Sequence, residues 1–330
     1  MFHNVQVNSK RRQPYITQVS YDNTLKSFDK DYGVLSEKLM ECADDVLGRS
    51  EILSAFASTK WFTFQLNFTG GAELVVLRDE LTEVVTAYQE YVNEINRLSE
   101  DEYYPPFVLN DLMDNYVGYL DLICYCILLH REDLLPKVFG WIEGTEFDGE
   151  DAVIEELLKF FFEGRPELDE WIWEKPYRGL LDAIDNDESK ARSRDMKKYV
   201  GGWYRNMKGQ ALFWGKHDEI TDSFSPYCGY WAMCAAAFSY LYDINDSSYR
   251  DEMVYPKELV EFARTVPRAV VTGSDGKSVL RVLGGQACPR AGKWFSPAKE
   301  DSYRHFAQNE QMPEFPVSEY GTTIWQWVSD

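Results

Sequence analysis

The stretch LVVLRDELTEVVTAYQEYVNEINRLS, running from Leu74 to Ser99, decides the class of the fold. Its apolar residues Leu74, Leu77, Leu81, Val84, Tyr88, Tyr91, Ile95 and Leu98 recur at steps of three and four. That period lays an apolar stripe along one side of a helix, whereas a half-buried strand needs alternation at every second residue. Upstream, Leu25, Phe28, Tyr32, Leu35, Leu39, Ala43 and Val46 follow the same rule, so two long amphipathic helices are predicted. Between them Ser50 is placed to cap a helix running from Glu51 toward Phe68, with Gly70-Gly71 as its stop. Pro105-Pro106 breaks the chain, and the nearly all-apolar segment from Leu109 to Leu129 predicts a buried helix, followed by a shorter one over 134–142. Further helices are expected over 151–162, 177–184, 189–207, 227–242 and 256–264.

An internal similarity points to paired helices. Gly118-Tyr119 and Gly229-Tyr230 each introduce an apolar segment, and each is followed by a Pro-Lys pair, at Pro136 and Pro256, that opens a shorter one. The reading is a stack of antiparallel helical hairpins. After Arg264 the character changes: β-branched runs flank Gly273-Ser-Asp-Gly276, a hairpin signal, and Gly, Pro and isolated aromatics follow. Residues 264–330 carry eight Lys+Arg and seven Asp+Glu, which leaves a charge of −22 on residues 1–263. The expected fold is therefore mainly α, with an N-terminal arm (1–20), an α-helical domain (21–264) and a small β-containing C-terminal module (265–330). Trp294, Phe295, Trp325 and Trp327 are expected to seal that module onto the helices.

Of 330 residues 45% are apolar and 15% aromatic, far too many for a disordered acidic chain. The balance of 34 Lys+Arg against 55 Asp+Glu gives −21, a field that repels phosphate backbones and anionic membranes and attracts basic partners. Neither nucleic acid nor membrane is an expected partner. The opening MFHNVQVNSKRRQPYITQVS has basic residues but no apolar core of a signal peptide, and the longest apolar runs, Leu122 to Leu129 and Tyr230 to Phe238, fall far short of the roughly 18 residues that span a bilayer. A cytoplasmic location is expected. Cys42, Cys124, Cys126, Cys228, Cys234 and Cys288 lie mostly in apolar helical stretches and read as buried hydrophobes. With no C-x-x-C and with His3, His130, His217 and His305 scattered, no metal and no other cofactor is expected.

Catalytic patterns give little. Gly276-Lys277-Ser278 resembles the end of a phosphate-binding loop, but the loop needs glycine where Val271 stands, and a strand rather than a helix follows. Glu188-Ser189-Lys190, after Asp187, has the Glu-x-Lys form that nucleases use, within residues that read as a solvated connection. His217, in Trp214-Gly-Lys-His-Asp-Glu219, could act as a base, yet no serine or cysteine nucleophile accompanies it. The chain is expected not to be an enzyme. Residues 140–190 are more telling: 16 Asp+Glu against five Lys+Arg, interleaved with Trp141, Phe147, Trp171, Trp173 and Tyr177. A solvated face would explain the acids alone. Aromatic anchors inside an anionic field are what a tight interface with a basic protein uses.

Several stretches resemble a known family. Tyr199-Val-Gly-Gly-Trp-Tyr-Arg-Asn-Met-Lys208, Trp214 to Asp218, Gly229-Tyr-Trp-Ala-Met-Cys-Ala-Ala-Ala237, Asn245 to Arg250 and Tyr255 to Val260 are similar to the helical immunity proteins of bacterial polymorphic toxin systems, the PoNi type in particular. The tail motifs Gly285 to Pro289, Gly292 to Phe295, Arg304-His-Phe306, Met312 to Phe315 and Gly321 to Trp327 resemble a C-terminal module found in several immunity families of type VI secretion loci. The resemblance implies a cytoplasmic, mostly helical protein that binds and blocks one toxin, often a nuclease. The residues expected to carry such a contact are Glu146, Asp148, Glu150, Asp151, Glu155, Trp171, Trp173, His217, Asp218, Glu219 and Asp222. The alternative is a helical scaffold or adaptor without a toxin, which would have several weak partners in place of one tight one.

Overall fold

The computed structural model describes residues 5–42, 44–186, 188–265, 281–288, 290–296, 299, 302–315 and 323–329. They form a mainly α protein with a small β appendage. A short α1 (Val7–Lys10) leads into α2 (Gln18–Glu41), α3 (Val46–Gly70) and α4 (Leu74–Ile95). Half of the stripe read from the sequence is the buried side of α4: Leu77, Leu81, Val84 and Tyr88 lie in the core together with Val92, whereas Leu74, Tyr91 and Ile95 are partly buried and Leu98, beyond the helix, is exposed. Helix α3 packs along it, and the turn between them needs the glycine pair, because Gly71 closes α3 at φ 99°, a left-handed conformation.

Boundaries at the N-terminal side differ from expectation. Helix α3 begins five residues early because Asp45, not Ser50, caps it, accepting from the Gly48 N–H at 3.0 Å. Ser50 lies inside the helix and donates to the Leu47 carbonyl. Helix α2 starts at the Thr17 cap and buries only its first half. The described part of residues 1–20 is no loose arm, since Val5, Val7 and Ile16 belong to the main core.

The centre of the protein is α5 (Met113–Leu128), buried along nearly its whole length. Its foremost helical partner is α10 (Met233–Leu241), which arrives more than a hundred residues later; Cys124 and Cys234 face each other with sulfurs 3.8 Å apart. Around this pair lie α6 (Leu135–Phe139), α7 (Ala152–Leu158), the hairpin of α8 (Glu174–Ile184) and α9 (Ser189–Met207), and α11 (Lys257–Thr265). The suspected repeat is partial. Pro136 opens α6 and Pro256 precedes α11, but Gly118 sits inside α5 while Gly229 lies in an extended segment four residues before α10. The helix expected from 227 starts only at Met233, because side chains capture the backbone before it. Gln13 accepts from the Tyr230 N–H at 3.0 Å, Thr69 donates to the Cys228 carbonyl, and Ser225 N–H donates to Thr24 at 2.8 Å.

The C-terminal residues build a four-stranded antiparallel sheet from β1 (Arg281–Leu283), β2 (Gly292–Phe295), β3 (Arg304–Phe306) and β4 (Ile324–Ser329), in the order β1-β4-β2-β3. It has its own small core of Cys288, Trp294, Phe306, Met312 and Trp325, with Trp327 packed against it. The tryptophans expected to seal the module onto the helices are thus used within it, and Phe295 stacks on Tyr303. The hairpin expected around Gly273–Gly276, and with it Gly276-Lys277-Ser278, lies outside the described residues.

Candidate functional site

Three of the acids expected to meet a partner are structural. Asp151 is fully buried; it caps α7 by accepting from Val153 and Ile154, takes the Ile172 N–H at 2.9 Å, and accepts from the Tyr116 hydroxyl at 2.9 Å. Burial raises its pKa and these hydrogen bonds oppose the rise. Glu155, one turn on, is buried beneath the Arg165 guanidinium, which grips it through two nitrogens at 2.5 and 2.6 Å and reaches Asp148 at 2.7 Å. Burial works against ionisation of Asp148, but bonds from the Gly144 N–H and Arg165 outweigh it and hold its pKa below the usual value. Asp151 and Glu155 are therefore corrected from surface contacts to internal ones. They shape the loop from Gly144 to Ile172 because a chain with so few helical turns there needs side chains to satisfy its backbone.

Glu146 and Glu150 remain exposed on that loop, with Glu163, Glu167, Asp169 and Glu170 beyond them. Trp141, Phe147 and Tyr177, which looked like surface anchors in the sequence, are core residues. Trp171 and Trp173 are half-buried. Arg178 lies over the Trp171 ring at 4.4 Å, and the Trp173 indole donates to the Leu109 carbonyl at 2.7 Å. Glu156 and Asp185 also have raised pKa values, by burial first; the Lys159 ammonium, 2.7 Å from Glu156, opposes the rise there and Asp185 and Glu167 add to it, while Asp182 and Asp169 add to it at Asp185 against Lys159 and Arg192. The acids of this region crowd one another, as an anionic patch requires.

The second segment, 214–222, ends in exposed carboxylates at Asp218, Glu219 and Asp222. His217 is fixed: its Nδ1 shares a 2.8 Å hydrogen bond with the Tyr230 hydroxyl, and its ring packs on Tyr15 with centroids 4.1 Å apart. It belongs to an aromatic cluster with Tyr204, Trp214 and Tyr227, which accounts for it without catalysis. A connection that the sequence did not announce joins the two acidic segments. Asp114, in the first turn of α5, accepts from the backbone N–H groups of Leu212 and Phe213 at 2.9 and 3.1 Å, just beyond Leu109, to which Trp173 is bound. Only Asp114's position after an uncapped helix start could have hinted at it.

Among the described residues, no group of three or more His, Cys, Asp or Glu is arranged to hold a metal ion. No helix among them is long and apolar enough to cross a membrane. A cleft under α2, lined by Tyr32, Lys60 and Glu83 among others, encloses about 100 Å³. That is below the usual size of a small-molecule site, and Lys60 there is paired with Glu83 at 3.0 Å.

Residues 149–259 match the family model of PoNe immunity proteins (PoNi), C-terminal region. The matched stretch covers α7 to α10 and enters α11, taking in most of the acidic loop and the whole of 214–222. No curated protein matches the chain. Among solved structures, the crystal structure of protein PA2201 from Pseudomonas aeruginosa is similar with a TM-score of 0.55 and 19% identity, over 78% of this chain and 93% of that one. At that identity the likeness is one of fold.

Proposed function

We propose that the protein is a non-catalytic immunity protein that binds a toxin of the PoNe kind in the cytoplasm and neutralises it, in a type VI secretion setting, and that the toxin is a basic domain, of nuclease type. The observation that carries this reading is the PoNi match over 149–259. It takes in the exposed acids from Glu150 to Glu170 on one side and Asp218, Glu219 and Asp222 on the other, with Glu146 just before it. We also propose that residues 21–264 and 265–330 are separate domains, a division supported by the two hydrophobic clusters.

The task sets the affinity. Protecting a cell from a few toxin molecules calls for a Kd of about 1 nM or below, which is about −12 kcal/mol. A protein that is strongly anionic can gain part of this in association rate by attracting a cationic domain, while buried aromatic or aliphatic contacts slow dissociation. Coexpression with the adjacent toxin gene tests the reading. A stable one-to-one complex, and survival of cells that carry both genes but not of cells that carry the toxin alone, are the expected results. Survival unaffected by deleting this gene overturns it, and several weak partners without a tight one would point to the adaptor.

A further inference from the structure

The turn that feeds α5 presents apolar side chains to solvent where polar ones are the rule. Leu112 occupies the N-cap position of α5 and offers no capping oxygen, although Ser, Thr, Asp and Asn dominate there. It is 41% exposed, and Val108 before it is 42% exposed. Leu212, the most exposed aliphatic residue of the neighbouring loop at 68%, is held beside them, since its backbone N–H is bound by Asp114. Trp173 completes the group, tied to the same turn through the Leu109 carbonyl.

Single exposed leucines need no explanation. Here three chain segments, 108–114, 171–173 and 212–213, are drawn together by side-chain bonds to backbone, and what they bring together is aliphatic and aromatic surface. Charged residues lie on either side in sequence: Asp111, Glu170 and Asp218 are exposed acids, while Glu174 is paired with Arg178 and Glu219 with Lys216 at 2.6 Å. Apolar contacts at the middle of a charged rim are the usual layout of a tight protein interface.

We infer that the N-terminal end of α5, with Val108, Leu112, Leu212 and Trp173, is the apolar centre of the contact with the toxin, and that the toxin surface that fits it is an apolar patch ringed by Lys and Arg. This inference rests on the immunity reading and adds to it, beside Trp173 of the acidic segment, an aliphatic centre at Val108, Leu112 and Leu212 that lies outside both acidic segments. Charge complementarity selects the occupant: a net charge of −22 on residues 1–263 disfavours a second copy of the same chain and favours a cationic domain.

The test uses the full chain and the catalytically inactivated toxin domain encoded by the adjacent gene, immobilised for binding kinetics. Leu112→Gln and Leu212→Gln add no charge and, at exposed positions, leave folding intact, which thermal unfolding verifies; Leu212 lies outside any helix and serves alone if the α5 variant is impaired. Met40→Gln, on the exposed half of α2, is the control. Each of the two leucine variants is expected to raise Kd by about thirtyfold, through faster dissociation and equally at 50 and 500 mM salt, with the control unchanged. Native protein that binds the toxin tightly while both leucine variants bind as well as native overturns the inference and spares the immunity reading. Native protein that does not bind the toxin at all overturns both.

Discussion

Asp121 is the carboxyl most at odds with its surroundings. It sits mid-way along the buried helix α5, and burial is the sole cause that lifts its pKa well above the usual carboxylate value. A group with a raised folded-state pKa favours folding below its unfolded value, about 3.9, and that contribution is lost as pH rises toward the folded value. Asp121→Asn removes the ionisation, so its melting temperature relative to native should climb as pH rises from 5 to 8; a difference that stays constant with pH would show that the pKa of this carboxyl is not raised by folding. Gly71 offers a second single-residue test. At φ 99° it would place a Cβ 2.1 Å from the Lys10 carbonyl oxygen, whereas Gly144, also left-handed, has nothing within 4 Å. Gly71→Ala should therefore cost about 3 kcal/mol and Gly144→Ala about 1 kcal/mol in urea unfolding. The first of these positions was legible in the sequence, as the stop of a periodic run. The second was not, because the loop from Glu143 to Asp151 has no period to interrupt.

At the scale of elements, the stripe of α4 and the bounds of α9 were readable, whereas the stripe read over 25–46 runs past Leu25 along the less buried part of α2 and is cut after Glu41, Val46 opening α3. The C-terminal ends of α3 and α11 and the Pro-led start of α6 were also close to expectation. What failed was set by side chains that bind distant backbone. Residues 227–232 look helical by composition, yet Gln13 and Thr69 from the N-terminal elements hold them extended, and no local pattern records such long-range partners. The acidic loop failed in the same way: Asp151 and Glu155 are indistinguishable in sequence from Glu146 and Glu150, and only the arrival of Tyr116 and Arg165 tells them apart. Glu155 and Arg165 then form a unit whose removal is asymmetric. Arg165→Ala strands a buried carboxylate and should cost about 3–5 kcal/mol, while the double variant Glu155→Leu, Arg165→Leu should recover most of it. Urea unfolding of the native protein and the two variants decides; a double variant as unstable as Arg165→Ala would mean that the loop needs the ion pair itself.

On the scale of the whole molecule, the exposed acids act through their summed field. With −22 on residues 1–263, a cationic partner is drawn in before any contact forms, and this steering is screened within about 8–10 Å at physiological salt. Charge reversal at Glu146, Glu150, Asp218 and Asp222 should therefore slow association with the toxin by about tenfold or more at 50 mM salt and much less at 500 mM, with dissociation little changed. The raised pKa values of Glu156 and Asp185 supply an independent check. A cationic surface bound beside them would stabilise the ionised carboxylates and lower their pKa in the complex, so affinity would weaken as pH falls through their raised range. The same acidification leaves aliphatic contacts untouched, so the dissociation change caused by Leu212→Gln should be the same at both pH values. Binding kinetics at pH 7 and pH 5 separate the two contributions. An association rate indifferent to salt, to pH and to the four reversals would remove the anionic face from the mechanism and leave recognition to the apolar end of α5.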